Sequence, residues 1–340
     1  MDSTVHKKLI TTLEEYHSLG IDEQVNHSKF YLYSLITHST AIEGSTVTEI
    51  ENQLLFDEGI TSSKRSLMEQ MMNLDLKAAY EKSIQMAANH VDFSINMLKD
   101  LSATVMKNTG SEYNTALGTF NAAHGDLRLV NVSAGFGGPS YLSYQKVPAC
   151  LQEFCDWLNR QRHSIREGDI VAAYNLSFDA HYRLVTIHPW VDGNGRMSRL
   201  VMNHLQYEFG LVPVKITKDQ KAEYIQALKD TREQEDESIF RRIMYGLHIS
   251  NLQAEIAQYR KSMEGVFIGD KDSDVTNVTD RQNAILDLMR ADALVSTSTI
   301  AERLEVTKRT VLRDVEVLKA KGLLRRVGSE KTGQWQVLIS

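Results

Sequence analysis

Apolar residues recur at helical spacing through most of the first 260 residues, and that period constrains the fold more than any other feature. Leu9, Ile10, Leu13 and Tyr16 make one stripe. Phe30, Tyr33, Ser34, Ile36 and Thr37 make a second, running toward Glu43-Gly44, and Val147, Leu151, Phe154, Cys155 and Leu158 a third within 147–159. With only four prolines in 340 residues, little interrupts long helices. A mainly α architecture follows. Residues 128–145 break the period. There Leu129-Val130-Asn131-Val132-Ser133 alternates like a strand, and Gly135-Phe136-Gly137-Gly138-Pro139 with Tyr141 and Tyr144 follows. This predicts a hairpin, or a flap hinged on glycine, as the only β signal before the C-terminal tail.

Residues 264–279, with Gly269-Asp270-Lys271-Asp272-Ser273-Asp274, are polar and aperiodic, which predicts a linker. It separates an N-terminal helical region (1–110) and a core (111–263) from a small domain (280–340). A calcium loop is excluded there: Val275 stands where the loop needs glycine and Arg281 where it needs a bidentate glutamate. The run Glu233–Glu237 reads as a solvated face.

Charge narrows the function classes. The net charge is −6, yet residues 280–340 hold eleven Lys/Arg against eight Asp/Glu. The large part is therefore strongly acidic and a poor nucleic-acid binder by bulk charge, while the tail tolerates one. Two cysteines, Cys150 and Cys155, exclude a disulfide scaffold, and no Cys/His set has zinc spacing. No apolar run approaches the roughly 18 residues of a membrane span, and the start Met1–Lys8 lacks a secretory core. The expectation is a cytoplasmic protein without a membrane partner.

Residues 170–200 carry the chemistry. Ile170, Ala173, Tyr174, Ser177, Phe178, His181, Leu184 and Val185 mark one helix face, opened by Gly168-Asp169 as N-cap and stopped at Pro189. Asp192-Gly193-Asn194-Gly195-Arg196 follows, and a new stripe runs Met197, Leu200, Val201, His204, Leu205 toward Gly210 and Pro213. Helix, glycine-rich loop, helix presents backbone N–H groups at a helix N-terminus, an anion site. Arg196 and Arg199 can fork onto further phosphate oxygens, Asp192 is a hard ligand for Mg²⁺, and His188 can take a proton from an attacking hydroxyl. No G-x-x-x-x-G-K-[ST] occurs, and no strand precedes the loop as a dinucleotide fold requires.

His188-Pro189-Trp190-Val191-Asp192-Gly193-Asn194-Gly195-Arg196-Met197-Ser198-Arg199 resembles the Fic-domain signature H-x-F-x-[DE]-G-N-G-R-x-x-R, departing at Trp190. The resemblance implies a Fic-type helical bundle over roughly residues 1–260 and transfer of AMP from ATP to a protein hydroxyl. His188 would be the general base and Asp192 the Mg²⁺ ligand. Gly193, Asn194 and Gly195 would cradle the α- and β-phosphates, with Arg196 and Arg199 toward the β/γ end. Gly195, where the kinase branch has lysine, favours adenylylation over phosphorylation. Ser39-Thr40-Ala41-Ile42-Glu43-Gly44 is similar to the family's inhibitory pattern [ST]-x-x-x-E-[GN]. By that resemblance Glu43, one helical turn from Ser39, pairs with Arg199 and blocks the γ-phosphate position. The flap would clamp the target by strand addition, with Val132, Ser133, Ala134 and Gly135 near ATP. Tyr224-Ile225-Gln226-Ala227-Leu228 resembles the helix closing the adenine pocket, while Arg232 stands where relatives often have asparagine.

The tail reads as three short helices and a two-stranded hairpin and resembles a winged helix-turn-helix domain of the bacterial regulator type. In that reading the helix from Thr307 enters a major groove with Lys308, Arg309 and Arg313 at phosphates or bases. A winged helix contacting only protein stays open, and a homodimer would supply useful DNA affinity. Two functions are carried forward. One is an autoinhibited protein adenylyltransferase acting on Ser, Thr or Tyr, itself included, whose site run backwards could remove AMP. The other is a nucleotide-sensing transcriptional regulator.

Overall fold

A computed structural model describes residues 3–135, 138–267, 280–304, 306–320, 323–327 and 334–337. The chain divides into two compact units, Met1–Ser262 and Met263–Ser340. The first is almost wholly helical: α1 (Ser3–Ser18), α2 (His27–Ile42), α3 (Glu49–Glu58), α4 (Leu67–Ala88) and α5 (Ile95–Val105) precede a short strand pair, β1 (Glu112–Thr115) and β2 (Gly118–Asn121). Then come α6 (Val147–Ser164), α7 (Ile170–Ile187), α8 (Asn194–Glu208), α9 (Lys221–Gln234) and α10 (Glu237–Phe267). Side-chain caps set several of these boundaries. Thr48 with Glu51 and Ser66 with Glu69 form reciprocal capping boxes at α3 and α4, and Asp169 accepts the Ala172 amide at the start of α7.

Helix α8 is the centre of the unit, packed along α7 and against α4 and α5. Met197, Leu200, Val201, Met202 and Leu205 are wholly buried, and so are polar Asn203, His204 and Gln206. Each of those side chains finds at least one partner, with His204 Nε2 left unpaired. Asn203 Oδ1 accepts from the Tyr80 hydroxyl (2.7 Å), His204 meets Ser83 (2.9 Å), and Gln206 bridges Ser177 Oγ (2.9 Å) and the Val214 amide (2.8 Å).

A second polar cluster ties down the end of α2. Asn73 Oδ1 on α4 accepts from Thr40 Oγ1 and from Asn52 Nδ2, both at 2.8 Å, while its amide donates to Ser45 Oγ (3.2 Å) and the Glu69 carbonyl (2.8 Å). Asn73→Ala strands these buried groups and is expected to cost about 1–3 kcal/mol, read as a lower urea midpoint at unchanged slope.

The structure corrects three local expectations. The β hairpin lies at 112–121, where Tyr113 opposes and stacks on Phe120 (5.2 Å between centroids). Its sequence, largely polar, gives no alternating signal. The 128–145 segment is instead a loop with one isolated antiparallel bridge, Ser133–Ser140, flanked by Tyr141 N–H to the Val132 carbonyl (3.0 Å) and Ala134 N–H to the Pro139 carbonyl (3.0 Å). Phe136 and Gly137 lie outside the described residues. Phe30 is 42% exposed and does not belong to the buried stripe of α2.

In the second unit, α11 (Asp280–Ala291), α12 (Thr297–Arg303) and α13 (Lys308–Ala320) pack with the antiparallel pair β3 (Leu324–Val327) and β4 (Gln334–Val337), Leu324 opposite Val337. Ile285, Ile300, Val311, Val315, Leu318 and Trp335 fill its core, and the Trp335 indole N–H donates to the Val295 carbonyl (3.1 Å). This is the three-helix, two-strand winged arrangement expected from sequence. The predicted linker falls mostly on residues 268–279, outside the described residues. No helix among the described residues is long and apolar enough to cross a membrane.

Candidate active site

The site forms where α7 ends and α8 begins. His188 caps α7 in the left-handed region (φ 52°, ψ 62°), rare for a residue with a Cβ. The turn is held by Trp190, 1% exposed, whose indole N–H reaches the Gly125 carbonyl (3.2 Å). Asn194 closes it, accepting from the Trp190 amide (3.1 Å) and donating to the Trp190 carbonyl (2.8 Å). The Asn194 side chain is thereby spent on the loop, leaving only its backbone N–H toward a phosphate. Gly193 adopts φ 80°, and a Cβ there would lie 2.8 Å from Met106 Sδ. The first-turn amides of Asn194, Gly195 and Arg196 have no acceptor within the helix, as at every helix start.

Arg128 was visible in sequence only as the first residue of the flap segment. It is 1% exposed. Its guanidinium donates to the His188 carbonyl (2.8 Å), the Val130 carbonyl (2.7 Å) and the Leu142 carbonyl, joining both arms of the flap to the loop. No periodic signal marks such a residue; only the three carbonyls it serves explain it.

The His188 imidazole has Nδ1 3.3 Å from the Val185 carbonyl and stacks on the Tyr141 ring, 3.7 Å between centroids. A proton placed on Nδ1 by that carbonyl leaves Nε2 as the basic nitrogen. Burial pushes the imidazole down to about 4; the Val185 carbonyl opposes, Arg128 and Arg232 add to the depression, and Asp192 works against them. The ring is neutral at physiological pH, as a base must be.

Both signature arginines are buried, Arg196 at 4% and Arg199 at 3% exposure. Arg199 donates through Nε to Ser39 Oγ (2.9 Å), and through Nη2 to the Ser39 carbonyl (3.0 Å) and Glu43 Oε1 (2.5 Å). Burial alone would push the Glu43 carboxyl up, but the Arg199 charge and hydrogen bond hold it below the usual carboxylate range. The carboxylate also lies over the start of α8, because a Cβ on Gly195 would come within 2.5 Å of Glu43 Oε1. Arg196, by contrast, has Nε and Nη1 buried without a partner, with only Met106 Sδ near Nη2 (3.2 Å) and Asp192 Oδ1 at 3.6 Å. A buried guanidinium so poorly served is suited to an incoming anion.

Asp192 is exposed at the loop mouth, with Oδ1 accepting the Gly193 amide at 2.6 Å. Among the described residues no group of three or more His, Cys, Asp or Glu converges on a metal position. A lone carboxylate still fits Mg²⁺, which is held through one or two carboxylates plus substrate phosphates.

The remaining predicted residues lie in the flap, on α9 and in the second unit. Val132, Ser133, Ala134 and Gly135 lie in the bridged flap. Tyr224 is 1% exposed, and its hydroxyl meets buried His181 Nε2 (3.0 Å) and the Arg199 guanidinium, which ties α9 to the arginine that Glu43 occupies. Lys308 and Arg313 are exposed on α13, and the side chain of Arg309 lies outside the described residues.

Residues 92–206 match the family model described as the Fic/DOC family, and residues 281–332 an HTH domain model. The protein adenylyltransferase fic-1 of Caenorhabditis briggsae is 25% identical over 236 residues, covering 66% of this chain and 43% of that protein. The protein adenylyltransferase Fic of Drosophila willistoni is 32% identical over 200 residues, covering 57% and 36%. The chain thus spans less than half the length of these curated relatives. A Fic domain containing signaling protein from Bacteroides thetaiotaomicron shares the fold at 22% identity, with a TM-score of 0.62 over 75% of this chain and 97% of that one.

Proposed function

From a chain that carries a Fic/DOC-family domain at residues 92–206 and a helix-turn-helix domain at 281–332, we propose an autoinhibited protein adenylyltransferase. ATP is the co-substrate. Its phosphates lie against the Gly193-Asn194-Gly195 loop, whose free amides are those of Asn194 and Gly195, with Arg196 and Arg199 on the β/γ end. The hydroxyl oxygen of a target Ser, Thr or Tyr bonds to the α-phosphorus, the α–β bridging bond breaks, pyrophosphate leaves, and His188 Nε2 takes the hydroxyl proton. Asp192 is the residue that would hold Mg²⁺, which when bound neutralises charge on the phosphates. Asp192→Ala is expected to abolish most transfer, with added Mg²⁺ failing to restore it at millimolar levels.

One observation carries the inhibited state: the Glu43 carboxylate is lodged on Arg199 and over Gly195, at the helix N-terminus where an anion belongs. Intact-mass spectrometry after incubation with ATP and Mg²⁺ tests the reading. A mass gain of one AMP unit on the chain, or on proteins of a lysate, is expected and grows when Glu43 is removed; no gain from either form defeats the reading. The same site run backwards would remove AMP, with Glu43 orienting water, and AMP-modified target incubated without ATP tests that activity.

A second reading concerns the small domain. Lys308 and Arg313, both exposed on α13, would contact phosphates with that helix in a major groove. A Lys308→Ala/Arg313→Ala variant should then weaken DNA binding across sequences and flatten its dependence on salt by about one to two counterions. A parent chain that binds no DNA leaves the domain as a protein contact, and binding unaltered in the variant removes Lys308 and Arg313 from the DNA interface.

A further inference from the structure

The backbone at His188 and its one long hydrogen bond do not by themselves fix the plane of the imidazole. A left-handed C-cap sets where Cβ points and leaves the ring torsion broad. The Nδ1 contact to the Val185 carbonyl, 3.3 Å, lies beyond the usual N–H···O range. What covers the ring is Tyr141, face to face at 3.7 Å and 15°.

Tyr141 is itself held on two sides. Its amide donates to the Val132 carbonyl (3.0 Å), next to the Ser133–Ser140 bridge. The Arg232 guanidinium from α9 sits 4.9 Å from the Tyr141 ring centroid. Since the imidazole already covers one face of that ring, the cation takes the other, the preferred geometry for a cation on a π face. Three elements meet in one column: α9 through Arg232, the flap through Tyr141, and the end of α7 through His188.

We propose that Tyr141 is a positioning residue for the catalytic base: backed by Arg232, it clamps the His188 imidazole so that Nε2 faces the incoming hydroxyl. This rests on the transferase reading above. Among the described residues no hydrogen bond or ring contact joins the Tyr141 side chain to Arg196, Arg199 or the start of α8, so the clamp acts on the step that needs an aligned base and not on capture of the phosphates. Both faces of the interaction are π contacts, which makes the ring of Tyr141 the working part and its hydroxyl dispensable. Arg232 is a support, one layer farther out.

The test uses the full chain with Glu43→Gly as parent, comparing Tyr141→Ala, Tyr141→Phe and Arg232→Gln. Tyr141→Ala is expected to lower kcat about tenfold with KM for ATP unchanged, the size of effect an aromatic stack of this kind supplies. Tyr141→Phe restores most of the rate, and Arg232→Gln loses less than Tyr141→Ala. The second readout is the His188 Cε1–H resonance, identified by its loss in His188→Gln. Ring current from Tyr141 shifts it upfield; the shift disappears in Tyr141→Ala and stays in Tyr141→Phe. Equal kcat in Tyr141→Ala and parent, or an unmoved resonance, overturns the inference while the parent still transfers AMP. A parent that transfers no AMP at all overturns the transferase reading and this inference with it. Should Tyr141→Ala not fold, the Arg232→Gln and Tyr141→Phe pair decides: no loss of rate and no resonance change in Arg232→Gln rejects the column.

Discussion

Glu43→Gly is expected to raise AMP incorporation roughly 10- to 150-fold, the range corresponding to about 1.5–3 kcal/mol for a hydrogen bond between charged groups that substrate must otherwise break. Two features make removal of this one side chain productive. Arg199 keeps its other bonds, Nε to Ser39 Oγ and Nη2 to the Ser39 carbonyl, so the guanidinium stays oriented once the carboxylate has gone. The space released is the N-terminal end of α8, since the carboxylate oxygen lies against Gly195. Glu43→Gln, which keeps the shape and loses the charge, should fall between parent and Glu43→Gly. The pH dependence has a definite sign. A carboxyl whose pKa is lowered on folding keeps its ion pair at every pH above that value and loses it only as pH falls through it. Inhibition of the unaltered chain should therefore be flat from pH 6 to 9. Incorporation rates at those pH values, with and without the substitution, check both statements, and a Glu43→Gly chain no faster than its parent would remove the inhibitory role.

What could be read from the sequence was what the chain encodes locally. Asp169 caps α7, Pro189 ends it, and Gly193 opens α8, all within one turn of the residues they affect. The Glu43–Arg199 pair was expected from the resemblance of residues 39–44 to the inhibitory pattern, while the bonds from Arg199 to Ser39 were not. What escaped depends on distant partners. Arg128 reads as an ordinary charged residue until the carbonyls of Val130, Leu142 and His188 are brought around it. Tyr141 was one of three aromatics in the flap segment, with nothing in its sequence neighbourhood to say that an imidazole from residue 188 and a guanidinium from residue 232 would sandwich it. Asn194 was assigned to phosphate, yet its side chain bonds the Trp190 backbone, a competition settled by loop geometry. The hairpin at 112–121 was missed because its pairing rests on backbone bonds and one Tyr113–Phe120 stack and not on an alternating apolar face.

His188→Ala in the Glu43→Gly background carries the other large expectation, a loss of about 10²- to 10⁴-fold in transfer, the usual worth of a positioned general base. Loss of activity alone would not separate a base from a structural cap, because His188 also ends α7 through its amide to the Leu184 carbonyl (3.1 Å). That bond belongs to the backbone and survives the substitution, so the helix end should persist and the unfolding midpoint should move little. The pH profile separates the roles further. Burial, with Arg128 and Arg232 adding to it, holds the imidazole near 4. A base with a lowered pKa is neutral, and competent, above that value, and loses function as pH falls through it. For Glu43→Gly, kcat/KM should thus stay level from pH 7.5 down to about 5.5, where a histidine in water, titrating near 6.5, would already have lost about nine-tenths of its base form. An acid limb centred near 6.5 would place the ring in solvent and remove the buried, stacked imidazole from the mechanism. A level profile together with an inactive but folded His188→Ala chain leaves proton abstraction as the function this residue performs.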